Sequence, residues 1–182
     1  AAPAMAQGLV IPDEPDLPPL ALVRHRVRVD IDRQASVTTV EQVFLNNTDR
    51  QLEAQYVFPI PRGATMSRVT MLVNGKEKAG EVVEKNQARQ IYNSIVRRAE
   101  DPGLLEYLGG EIFRANIFPI APRAEQRLQV TYYQELDFDN DWATYVYPLA
   151  TSTRKVADEQ VEGAFGINFN IHSEVPIAEL KS

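Results

Sequence analysis

The sequence predicts a mainly β fold, an antiparallel β-sandwich of about ten strands with one amphipathic α-helix at about 84–99. Three observations lead there. Apolar and polar residues alternate with period two over most of the chain, the pattern of half-buried strands. One stretch switches to the helical period. A nearly repeated phrase brackets that stretch: Phe58-Pro59-Ile60-Pro61-Arg62 before it and Phe118-Pro119-Ile120-Ala121-Pro122-Arg123 after it. Proline cannot donate to a sheet ladder, so each phrase marks a strand leaving its sheet.

The elements follow in order. Residues 1–19 read as a signal remnant and proline-rich leader. Ala4 and Ala6 have the spacing of a signal-peptidase site, and Pro12, Pro15, Pro18 and Pro19 stand among Asp13, Glu14 and Asp16. Folded structure is expected to begin near Leu20, so that 20–182 is one domain. Val23, Val27, Val29 and Ile31 then alternate with Arg24, Arg26, Arg28 and Asp30. A second strand, 36–45, ends at Asn46-Asn47-Thr48-Asp49, a strong turn signal. The next run, 52–58, puts Ala54, Tyr56 and Phe58 on one side. Residues 68–73 lead to Asn74-Gly75, the preferred pair for a type I′ hairpin, and a return strand starts at Lys76.

After Gly80 the period changes. Ala88, Ile91, Tyr92, Ile95, Val96 and Ala99 make one apolar helical stripe, and Asp101-Pro102-Gly103 stops it. Strands resume at 104–106, 112–118 and 127–136, the last with Leu128, Val130, Tyr132 and Leu136 on one side. A turn at 137–141 precedes a strand at 142–149. Residues 161–171, with Phe165, Ile167 and Phe169 alternating, and a short 175–180 close the chain.

Composition narrows the function. The chain has 182 residues, 44% of them hydrophobic, enough to build a real core. Its net charge of −6 disfavours nucleic acid as a partner. With no cysteine there are no disulfides, thiolate zinc sites or cysteine nucleophiles. No apolar run approaches the ~20 residues that span a bilayer.

Candidate chemistry is thin. Asp137, Asp139 and Asp141 alternate as in a calcium loop, but the glycine and glutamate positions of an EF-hand hold Trp142 and Pro148. His25 and His172, the 2 histidines, lie far apart, and no Gly-x-Ser-x-Gly elbow occurs. Tyr132, Tyr133, Trp142, Tyr145 and Tyr147 cluster on adjacent strands and offer an alternative reading: a carbohydrate-binding module that stacks sugars on them. Asn46-Asn47-Thr48 fits the glycosylation sequon. No catalytic, cofactor-binding or metal-ligating residue is assigned.

Taken in order, several motifs resemble the VIT domain, the module of vault protein and inter-alpha-trypsin inhibitor heavy chains. They are 40–47 (VEQVFLNN), 52–54 with 56–61 (LEA, YVFPIP), 80–82, 88–92 (ARQIY), 104–106, Phe113 with Asn116-Ile117, 119–122, 130–132 and 147–149. Residues 175–180 resemble the family's exit toward a following domain. The resemblance implies a non-enzymatic β-sandwich that serves as an interaction or scaffold module. It implies a von Willebrand factor A domain as neighbour, an extracytoplasmic location with an envelope protein or glycan as partner, and no cofactor.

Overall fold

Two sheets share the alternating runs between them. The computed structural model describes residues 8–60, 63–83, 112–139, 142–147, 164–174 and 176–179, with Gln87 and Gln90. A four-stranded sheet holds, in spatial order, β1 (Leu9–Pro12), β4 (Leu52–Pro59), β8 (Ile112–Ile120) and β7 (Glu81–Val83). A six-stranded sheet runs β12 (Ala164–His172), β2 (Ala21–Asp32), β3 (Ala35–Leu45), β9 (Glu125–Glu135), β5 (Ala64–Val73) and β6 (Lys76–Glu77). The remaining strands, β10 (Asp137–Asp139) and β11 (Trp142–Thr144), form a small hairpin of their own.

The sheets stack through the faces that the alternation marks as apolar. Val27, Val29, Val40, Leu128, Val130 and Tyr132 from the larger sheet meet Leu52, Ala54, Tyr56, Phe58, Ala115 and Ile117 from the smaller. Aromatic pairs bridge the layers, Phe44 with Tyr56 and Phe58 with Tyr132, each with ring centroids 6.2 Å apart. Burying each such ring stabilises the fold by about 1.5–3 kcal/mol. The result is the expected β-sandwich.

Several local expectations change. Residues 9–12 are not part of a loose leader: β1 pairs antiparallel with β4, and Val10 is wholly buried. Folded structure therefore begins before Leu20, whose amide donates back to the Val10 carbonyl at 2.8 Å. Pairing is antiparallel throughout except for β12, which runs parallel to β2. Asp137 and Asp139, expected in a turn, lie in β10, with their register partners Thr144 and Trp142 across the hairpin. Residues 176–179 carry no strand. Asn74 and Gly75 both take the positive φ that a type I′ turn requires, so that hairpin forms as expected.

The two Phe-Pro-Ile phrases also part ways. Pro59 ends β4, as a strand exit should. Pro119 instead lies within β8, where the register against β4 shifts between Ile117 and Ile120. A bulge frees the strand from donating at that point and lets proline sit inside it. Of the expected helix at 84–99, only Gln87 and Gln90 lie among the described residues; both are helical and exposed. Residues 104–106 and 161–163 lie outside them.

Candidate interaction surface

Tyr145 and Tyr147 pack against the core beside inward-facing residues of β2 and β3. The Tyr147 hydroxyl lies 2.8 Å from Nε2 of His25, whose ring also meets Phe165 edge-on. The Tyr145 hydroxyl lies 2.7 Å from Oγ1 of Thr38, and its ring meets Phe169 edge-on. Deeper in, the Tyr56 hydroxyl donates to Oε1 of Gln42 at 2.8 Å. Alternation explains the placement, since odd positions of β2 and even positions of β3 point inward.

Burial sets the protonation of these groups. Burial strips solvation from the imidazolium and lowers His25 from 6.5 to about 4. Burial raises Tyr56, Tyr132, Tyr145 and Tyr147 above the usual tyrosine value. The imidazole stays neutral and the hydroxyls stay protonated near pH 7, so none is poised to exchange a proton there.

The outer face of the same sheet is polar and locally basic. Arg24, Arg26 and Arg28 follow one another at every second position of β2, roughly 6.7 Å apart. Arg28 pairs with Asp30 at 3.0 Å, and Arg127 of β9 pairs with Glu41 of β3. Arg24 and Arg26 form no ion pair among the described residues. Arg26, Arg28, Thr39, Gln129 and Asn168, with the Glu41–Arg127 pair, line a shallow polar depression in which Glu41 is the register partner of Arg26. Nothing in the sequence alone joins these arginines to Asn168, because the β12–β2 pairing that does so is long-range.

The aromatic candidates do not share one exposed face. Tyr132 is buried in the core, and its neighbour Tyr133 points to the other side of β9. Tyr145 and Tyr147 turn their hydroxyls inward, while Trp142 is exposed on β11. The two histidines are also separated. His25 pairs in register with Phe165 and His172 with Asp32, roughly 23 Å apart along the strand.

Asn46, read from sequence as a turn residue and glycosylation acceptor, is completely buried. Its amide donates to the carbonyls of Arg50 and Ala121 and its oxygen accepts from Thr48, so in the folded chain it is a clamp and not a glycan site. Among the described residues, no group of three or more His, Asp or Glu side chains is placed to hold a metal ion. No helix among them is long and apolar enough to cross a membrane.

Comparison with known proteins agrees with this architecture. A mouse protein mono-ADP-ribosyltransferase PARP4 is 32% identical over 130 residues, covering 71% of this chain and 6% of its own length. A mouse von Willebrand factor A domain-containing protein 5A is 25% identical over 84% of this chain and 19% of its own. Inter-alpha-trypsin inhibitor heavy chain H2 of mouse is 27% identical over 65% of this chain and 12% of its own. The chain thus spans a small part of each relative, and the activity named for the first is that of a far longer protein. The profile of the family described as "Vault protein inter-alpha-trypsin domain" matches residues 22–132, most of both sheets, and the chain belongs to this VIT domain family.

Proposed function

We propose that this chain is a non-catalytic protein-interaction module of an exported or cell-envelope protein, working beside a von Willebrand factor A domain. The observation that carries the reading is the small share of each relative that it matches, one of them named for a von Willebrand factor A domain. A segment that recurs as a minor part of otherwise different proteins serves their assembly more readily than one shared reaction. The candidate surface supports it: neutral histidine, protonated tyrosines and paired ions are groups that hold a shape. The Ala4-Met5-Ala6 spacing supports export.

The test is a binding titration between this chain and the von Willebrand factor A domain encoded in the same gene. Saturable binding, or co-elution as one species, supports the reading. A gene that encodes no such domain, or a purified domain that shows no binding, overturns it.

A further inference from the structure

We propose that the outer edge of β12, unpaired among the described residues, takes an extended segment of a partner protein whose residues alternate apolar and acidic, added as a further strand of the six-stranded sheet. The inference rests on the interaction-module reading and names where and what the module binds.

The edge itself is the first argument. Among the described residues β12 ends the sheet order, and it pairs with β2 through nine uninterrupted registers. Long edge strands are normally blunted by lysine, proline or a bulge, because unpaired backbone groups recruit other chains. The sequence of β12, AFGINFNIH, holds neither lysine nor proline, and its register does not shift.

Side chains give the partner's chemistry. Toward the core side, Phe165, Phe169 and Ile171 recur at alternate positions and remain 46%, 48% and 40% exposed. An added strand with apolar residues at alternate positions would cover them. On the other side, Gly166 pairs in register with Arg26. A Cβ built at Gly166 meets nothing within 4 Å and its φ is not positive, so internal packing does not demand glycine there. Glycine inside a strand weakens it and is kept where another backbone or ligand comes close.

The added strand would lie two strand spacings from β2, about 9.6 Å away. An arginine laid over Gly166 meets an outward acid from that strand, while a larger residue at 166 would stand between them. Arg24 and Arg26 form no ion pair among the described residues, although the whole chain carries −6: Glu41, the register partner of Arg26, is engaged by Arg127. A second copy fits less well. The outward residues of β12 after Gly166 are Asn168 and Asn170, and a β12–β12 pair would bring two copies of the row Arg24, Arg26, Arg28 toward each other, with Asp30 in each row already held by Arg28 and Asn170.

The experiment uses two fluorescein-labelled octapeptides, one alternating valine and glutamate and the other valine and lysine, titrated by fluorescence anisotropy. The glutamate peptide is expected to bind at least about tenfold tighter than the lysine peptide. Arg26→Glu should reverse that preference. Gly166→Val should weaken the glutamate peptide about tenfold without lowering the melting temperature. The proposal is overturned if neither peptide binds, if both bind alike, or if Arg26→Glu leaves the preference unchanged. It is also overturned if the chain sediments as a dimer that Gly166→Val dissociates, for then a second copy holds the edge. A chain that binds its von Willebrand factor A neighbour but neither peptide loses only the edge assignment.

Discussion

Nδ2 of Asn46 donates to the carbonyl of Ala121 at 3.0 Å, joining two turns that leave different sheets. The same amide reaches the Arg50 carbonyl at 2.9 Å, and Oδ1 accepts from both the amide and the hydroxyl of Thr48. Around this buried hub, Arg123 grips Asp49 with two hydrogen bonds of 2.7 and 3.1 Å, and its own amide donates to the Thr48 carbonyl. Arg123 adopts a positive φ of 54° to do so. The turn after β3 and the turn after the second Phe-Pro-Ile phrase are therefore one clamp.

Asn46→Ala takes the Asn46 partner from the Ala121 carbonyl and the Thr48 amide, leaves the Arg50 carbonyl only its bond from the Thr48 hydroxyl, and empties a buried position. The expected loss is about 2–4 kcal/mol, since each unsatisfied buried group costs about 1–3 kcal/mol and the turn can relax only in part. Asn46→Asp keeps the acceptor but loses both donors, and should fall in the same range. Urea unfolding of both variants measures this; a loss below about 1 kcal/mol in each shows that the clamp is dispensable.

How far the sequence discloses this arrangement depends on the range of the interactions. β2, β3 and β9 are legible because each is half-buried along its length and writes its inner face as every second residue. β1 is not, because a four-residue strand ending at Pro12 is submerged in a proline-rich, acidic stretch. The parallel β12–β2 pair is illegible for another reason: alternation assigns faces to a strand and leaves its neighbour open. The depression that gathers Arg26, Arg28 and Asn168 exists only through that pairing. Asn46 reads locally as a turn residue, and its second partner, Ala121, is invisible from its neighbourhood.

Two glycines should respond in opposite ways. A Cβ at Gly80 would lie 2.1 Å from Cζ of Phe113 and 2.8 Å from the Arg114 carbonyl oxygen, with the backbone atom unable to step aside. Gly80→Ala is expected to cost about 2–3 kcal/mol. At Gly166 the space is open, so Gly166→Val should be neutral or stabilise by about 0.5–1 kcal/mol through restored strand propensity. Thermal melts of both variants decide the matter. Equal shifts of the same sign contradict the packing assigned to the two positions.

Deleting residues 1–19 should destabilise the domain rather than trim a tail. The deletion removes β1 from the edge of β4 and uncovers the site of Val10 and Ile11, both buried. Each buried side chain contributes about 1.5–3 kcal/mol, and the hydrogen bond from the Asp13 amide to the Glu53 carbonyl goes with them. A total of about 3–6 kcal/mol is a large part of the stability of an ordinary domain. Val10→Asp, which places an unpaired charge in the same site, should behave alike. A truncated chain with the full-length unfolding midpoint disproves the structural role of β1.

The pH dependence of stability should carry the signature of His25. The folded chain holds this imidazole neutral between Tyr147, Phe165 and the register partner Gln42, and lowers it from 6.5 to about 4 by burial. An unfolded chain binds a proton there below pH 6.5, while the folded chain does not until about pH 4. Between those values the unfolded state holds more protons, so stability falls as pH falls. Above pH 6.5 the neutral imidazole is no burden, and below about pH 4 both states are protonated and the slope ends. At about 1.4 kcal/mol per pH unit the whole window amounts to at most about 3.5 kcal/mol. Asp49, held below the usual carboxylate range first by its hydrogen bonds to Arg123 and then by that charge, loses its contribution at lower pH, beneath the histidine window. His25→Gln retains a polar group for Tyr147 and removes the titration. Urea midpoints from pH 7 to 4 should therefore fall steadily in the parent chain and much less in the variant. Parallel slopes in the two proteins would place the acid sensitivity elsewhere.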